Sequence, residues 1–146
     1  MRVPHLARRL FTSLSRQPPP TTDRDWAHSW LHDGERDLWD SMSSVDRRHS
    51  IEVARRFHER RPAAGREEMA GALLHDVGKT ASGLGTFSRV IATIVGPRTK
   101  RFREYHDHEA IGAAMAEAAG SDPVTVALVR GDGPAADDLQ AADDSI

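Results

Sequence analysis

The segment Ala72-Leu73-Leu74-His75-Asp76-Val77-Gly78-Lys79 constrains this chain more than any other. An apolar run ends in an adjacent His-Asp pair, followed by Gly and Lys. Polar side chains at the end of a buried helix are costly to leave without partners. A divalent cation satisfies both members of the pair, and a neighbouring Lys suits a phosphate group. The rest of the chain is therefore read for groups that could complete such a site.

Composition narrows the class. At 146 residues the chain is one domain, or one domain with a tail, and is long enough to bury a core. A net charge of −2 argues against nucleic-acid-scale electrostatics, so no nucleic-acid partner is expected. There is no cysteine, which excludes disulfides and zinc–thiolate sites and makes a reducing cytoplasm the expected compartment. No apolar run approaches the roughly 20 residues needed to span a bilayer.

Residues 1–20 form one unit: a basic amphipathic helix and a Pro-rich connector. Arg2, Arg8, Arg9 and Arg16 occur without an acid, and Leu6, Leu10 and Leu14 recur at helical spacing. Such a helix can dock on its own domain, or make peripheral membrane contact through residues 1–16. It has no secretory apolar region. Pro18-Pro19-Pro20 ends it.

Residues 21–146 read as helix after helix. Trp26, Trp30 and Leu31 share one short segment. Gly34 is expected to break it before Leu38, Trp39 and Met42; the Trp residues read as core. Ser44 is the expected cap of a long helix to about Arg60, stopped by Pro62. The next helix is expected from about Arg66 to Val77, with Gly78 as its stop. Gly83 and Gly85 mark a loop, and Phe87 to Val95 is either helix or strand. Pro97 to Arg103 is a basic loop. A helix from Tyr105 to Ala119 follows, then one capped by Asp122 with Pro123 in its first turn, then a short last helix from about Ala136. The predicted class is all-α.

Candidate ligands fall on apolar stripes. Val45, His49, Val53 and Phe57 are four apart, which turns His49 inward. His108, Ile111, Gly112, Met115 and Ala119 share one face, which turns His108 inward. Leu139, Ala142, Asp143 and Ile146 share another, which places Asp143 inward and Asp144 toward solvent. Each residue alone has a plain reading: a hydrogen-bonded core histidine, a solvated terminal charge, a cap. Together, inward polar groups on three helices plus the His75-Asp76 pair need a common partner. A divalent cation held by two His and two Asp is the economical one. Mixed imidazole and carboxylate ligation suits Mn, Fe, Co, Ni or Zn better than Ca or Mg alone, although Mg stays among the candidates.

The order His49, His75-Asp76, Asp143 resembles the His, His-Asp, distant Asp pattern of the HD-domain superfamily of metal-dependent phosphohydrolases. The resemblance runs from about Asp46 to Asp143 and rests most on Leu-Leu-His-Asp-Val-Gly-Lys. His108-Glu109-Ala110-Ile111-Gly112-Ala113 is similar to the His-x-x-Ile-Gly-Ala helix of a phosphodiesterase-like subgroup that can bind two metals. The resemblance implies an HD-type helical bundle, here with extra N-terminal helices, and a metal held by His49, His75, Asp76 and Asp143. Relatives of that subgroup carry a His-His pair where this chain reads Arg130-Gly131-Asp132-Gly133-Pro134. His108 and Asp132 are therefore expected to line the same cavity as a possible second site without fully supporting a second metal.

The implied activity is hydrolysis of a small phosphate monoester or nucleotide by metal-activated water. Asp76 would grip the metal and orient the water. Lys79 would act on the phosphate, helped by Arg48 or by Arg98, Lys100 and Arg101. Lys79 can equally be a partner of a helix C-terminus, and the basic loop a solvated surface. The rival reading is a catalytically degenerate HD module that binds a nucleotide or partner protein. His5, His28, His32, His58 and His106 receive no role.

Overall fold

The computed structural model describes residues 17–79 and 107–146. Seven helices occur among these residues and no strand does: α1 Thr21–Ser29, α2 Asp33–Asp40, α3 Ser44–Arg60, α4 Arg66–Leu74, α5 Asp107–Ala118, α6 Pro123–Arg130 and α7 Ala136–Asp144. The described residues are all-helical in class, as their periodicity predicts. The basic N-terminal segment, the Gly83 and Gly85 loop, Phe87 to Val95, and Arg98, Lys100 and Arg101 lie outside the described residues. So do His5 and His106.

Local chemistry sets the helix boundaries. Pro20 precedes α1 with φ −53°, close to helical already. A reciprocal capping box opens α2. The His32 ring accepts from the Glu35 amide at 3.3 Å, and the Glu35 carboxylate accepts from the His32 amide at 3.1 Å. Gly34 was expected to break the chain, but it lies inside the first turn of α2. The Ala119 carbonyl stands where a β-carbon would be. Ser43, not Ser44, caps α3, its hydroxyl accepting from the Asp46 amide at 3.1 Å. Asp122 caps α6 through the Val124 amide at 2.9 Å, with Pro123 in the first turn as expected.

The central helix is α4. Every residue from Met69 to Leu74 is buried, the environment of a helix that is apolar all round. It packs between α3 and α6 and touches α2; α5 covers α6, and α7 lies on α3. Leu73, Leu74, Met69, Phe57, Trp39 and Met115 are fully buried, each contributing roughly 1.5–3 kcal/mol of transfer free energy. The Trp39 indole donates to the Ser50 hydroxyl at 2.9 Å, which donates to the Arg47 carbonyl at 2.7 Å, tying α2 to α3. Trp26 and Trp30 are only half-buried against the core. The Arg55 guanidinium stands 4.9 Å from the Trp26 ring centre. No described helix is long and apolar enough to cross a membrane.

The helix of the His-Asp pair ends at Leu74 rather than Val77. His75 and Asp76 form a turn and Val77 to Lys79 a 3-10 turn. Gly78 explains this tight path. A β-carbon on Gly78 would collide with the His108 carbonyl and stand 2.8 Å from the Gly112 amide. The turn bearing the pair is pressed backbone to backbone against α5, which only glycine permits.

Candidate metal centre

Three helices deliver four side chains to one point. His49 comes from α3, Asp143 from the last turn of α7, and His75 and Asp76 from the turn after α4. On α3, Val53 and Phe57 hold the same stripe in the core and leave His49 at its edge, with its side chain 19 % exposed. On α7, Leu139 and Ala142 are buried, as is Ile146 just past its end. Asp143 faces the site, whereas Asp144 is exposed and accepts from Gln140 at 3.0 Å. The stripe distinguishes these two adjacent aspartates correctly.

The ligating atoms form a ring in which imidazole and carboxylate alternate. His49 Nε2 is 2.9 Å from Asp143 Oδ1, which is 3.9 Å from His75 Nε2. His75 Nε2 is 3.2 Å from Asp76 Oδ2, which is 3.9 Å from His49 Nε2. Neighbouring ligands around a cation at 2.0–2.2 Å stand roughly 3–3.6 Å apart, so these spacings fit one ion after small adjustments. His49, His75 and Asp143 each offer an atom within 4.8 Å of the others.

His75 carries the most telling geometry. Its Nδ1 is 2.7 Å from the Ala72 carbonyl, a bond that requires the proton on Nδ1. Its Nε2 is buried and makes no hydrogen bond. A ring held at Nδ1 by a backbone carbonyl, with Nε2 presented to a cavity, is the arrangement of a metal-ligating histidine.

Electrostatics couple the four groups. Burial opposes charge on the His75 imidazole, but the Asp76 and Asp143 carboxylates outweigh it and raise the pKa above 6.5. Burial also opposes charge on Asp76, yet His75, Lys79 and His49 hold it far below the usual carboxylate range. The hydrogen bond from His49 lowers the pKa of Asp143 against its own burial. The two carboxylates are thus ionised and available as ligands.

A cavity of about 260 Å³ opens beside the ring. Beyond His75, Asp76 and Asp143 its polar wall is Glu109, Asp137 and Gln140, and its apolar wall includes Leu128, Val129 and Leu139. No Lys or Arg among the described residues lines it.

The expected auxiliary residues are placed unevenly. Lys79 is exposed and not part of the cavity wall, and its ammonium lies 3.3 Å from Asp76 Oδ2. Arg48 donates to the Gln17 carbonyl at 3.4 Å and is not part of the cavity wall. It is next to His49 in sequence and hence about 100° round the helix from it. His108, expected to face inward, is exposed. Its main chain, not its ring, is what approaches the turn at Gly78, and Glu109 takes the place on the cavity wall. Asp132 is also exposed and lines a separate apolar groove with Pro123, Val124 and Pro134. The cause is the end of α6. Gly131 at φ 91° and the Asp132 amide bonded to the Ala127 carbonyl at 2.8 Å form a reversing turn that carries Asp132 away. His108 and Asp132 therefore do not line one cavity.

Glu109, Asp137 and Gln140 were missed in the sequence. Glu109 adjoins the His108 stripe, and the first turn of α7 carries Asp137, but no spacing rule singles them out. Comparison with protein-family models, with curated proteins and with solved structures finds no match.

Proposed function

We propose that the protein is a metal-dependent phosphohydrolase of the HD type, acting on a small phosphate monoester or nucleotide. The observation that carries the reading is the ring of His49, His75, Asp76 and Asp143, with His75 fixed at Nδ1 and its Nε2 facing the Asp76 and Asp143 carboxylates without a well-formed hydrogen bond. The donor set, two imidazoles and two carboxylates, suits Mn, Fe, Co, Ni or Zn, with Mg a weaker candidate.

A divalent cation bound there supplies Lewis-acid polarisation of a phosphoryl oxygen and a water of lowered pKa. His49, His75 and Asp143 hold the ring in place. Asp76 has two tasks, as a ligand and as the carboxylate best placed to accept a hydrogen bond from the attacking water. Lys79, 3.3 Å from Asp76, would offset the charge of a phosphate bound beside Asp76. The apolar wall of Leu128, Val129 and Leu139 takes the organic part of the ester.

One observation favours the second reading, a catalytically degenerate module that binds a nucleotide or partner protein. The cavity wall beyond the ring is acidic at Glu109 and Asp137, which disfavours a phosphate ester and a nucleotide alike and so favours the partner-protein form of that reading. Purified protein loaded with Mn²⁺ or Co²⁺ and assayed on p-nitrophenyl phosphate and its diester separates the two. Turnover that disappears in Asp76→Ala supports the hydrolase. Stoichiometric metal without turnover of either ester supports the binding module.

A further inference from the structure

The metal-facing side chains of α4 and α7 stand at the C-terminal ends of those helices. Near their N-terminal ends, a single guanidinium joins them to α3. Arg61 follows α3 directly. Pro62 restricts the preceding residue to extended geometry, and Arg61 leaves the helix at φ −127° and ψ 76°. Its side chain, 29 % exposed, reaches across rather than along α3. Nε and Nη2 donate to the two oxygens of Glu68 at 3.3 and 3.1 Å, and Nη1 donates to Asp138 Oδ2 at 3.2 Å. Both carboxylates raise the Arg61 pKa. Arg60 Nε stands 3.5 Å from the other Asp138 oxygen.

The three helices do not depend on this knot equally. The last six residues of α4 are buried, so packing alone locates it. The long helix α3 is capped by Ser43. By contrast, α7 has only nine residues, no side-chain cap at Ala135, and only Leu139 and Ala142 buried within it. Buried Ala135 and Ile146 flank it, and its polar tie near the N-terminal end is Asp138, five positions before Asp143 and so about 7.5 Å along the axis. A shift at Asp138 reaches Asp143 through little more than one rigid turn.

Resting on the metal-centre reading above, we propose that Arg61 is a positioning residue. Through Asp138 it sets the seat of α7 and so holds Asp143 on the metal. Glu68 orients the guanidinium by a two-point bond, which a lysine ammonium cannot reproduce.

Co²⁺ titration of the full chain tests this, by calorimetry and by the visible absorption of the bound ion. Wild type, Arg61→Met, Arg61→Lys, Asp138→Asn, Asp143→Ala and the Arg61→Met/Asp143→Ala double variant are compared, with circular dichroism as the check on folding. Arg61→Met and Asp138→Asn should weaken Co²⁺ binding about 10- to 100-fold, the range for residues that support a ligand. Arg61→Lys should recover only part of the loss. The double variant should bind no more weakly than Asp143→Ala alone, because the effect passes through Asp143. Wild-type affinity in both Arg61→Met and Asp138→Asn overturns the proposal. So does an Arg61→Met loss that persists in full in the Asp143→Ala background, since that marks a general structural role. Wild-type protein that takes up no Co²⁺ overturns the metal reading itself, and the proposal with it. If Arg61→Met does not fold, Asp138→Asn decides, because it leaves the Arg61–Glu68 bond in place.

Discussion

His49 and Asp143 are 94 positions apart in sequence, yet His49 Nε2 and Asp143 Oδ1 meet at 2.9 Å. This contact closes the site by joining α3 to the last helix. It is a hydrogen bond; on the proposed metal-centre reading the same two atoms would be adjacent ligands of the cation.

Metal should therefore stabilise the fold. Saturating Mn²⁺ or Co²⁺, at about 100 times its Kd, adds roughly 2.7 kcal/mol. For a chain of this size that raises the Tm by roughly 5–10 °C. Differential scanning fluorimetry should show the shift in wild type and lose most of it in His49→Ala and in Asp143→Ala. An equal shift in all three would place the metal elsewhere.

Asp76 and Lys79 should separate two tasks. Asp76→Ala removes one of two anionic ligands, so metal content and turnover should fall together. Lys79→Ala leaves all four ligands, so metal should stay while KM for a phosphate ester rises. Metal analysis beside steady-state kinetics checks this. Equal metal loss in both variants would assign Lys79 to holding Asp76, the contact already present at 3.3 Å.

The pH dependence should change sign with metal. The His75 pKa is raised above 6.5 in the folded protein. Its contribution to metal-free stability is therefore fully present below pH 6.5 and is lost as pH rises through the raised value. Metal binding needs neutral imidazole, so affinity rises over the same range. In EDTA the Tm should fall from about pH 6 toward pH 8, while the increment due to metal should grow. His75→Gln should flatten both trends; unchanged slopes in that variant would show that other groups set them.

Gly78→Ala should disturb the site from outside it. The added β-carbon meets the His108 carbonyl, which is backbone and cannot swing aside. Overpacking of this kind costs roughly 1–3 kcal/mol. Urea unfolding should show that loss, and metal affinity should fall because His75 and Asp76 share the displaced turn. Wild-type stability in this variant would mean that the turn can move away from α5.

Helical class, most boundaries and two of the four ring positions were legible because they follow periodicity. His49 and Asp143 sit on stripes whose other members are buried except for the half-buried Val45, and that pattern separates Asp143 from Asp144. His75 and Asp76 were legible from the apolar run before them. The failures have local causes that a stripe does not encode. His108 sits at the start of α5, where the backbone contact with Gly78 turns its ring outward. Asp132 follows a left-handed Gly131 that reverses the chain. Gly34 looked like a break because the Ala119 carbonyl that requires it lies far away in sequence. Arg61 was invisible as more than the residue before Pro62, since Glu68 and Asp138 reach it only in the folded protein.

The most direct measurement is the metal content of purified protein beside a His75→Ala/Asp76→Ala double variant, by elemental analysis after equilibration with Mn²⁺, Fe²⁺, Co²⁺, Ni²⁺ or Zn²⁺. The account predicts close to one metal ion per wild-type chain and close to none in the variant, with helical content unchanged. Equal metal in the two proteins, or none in wild type with any of these ions, would contradict it.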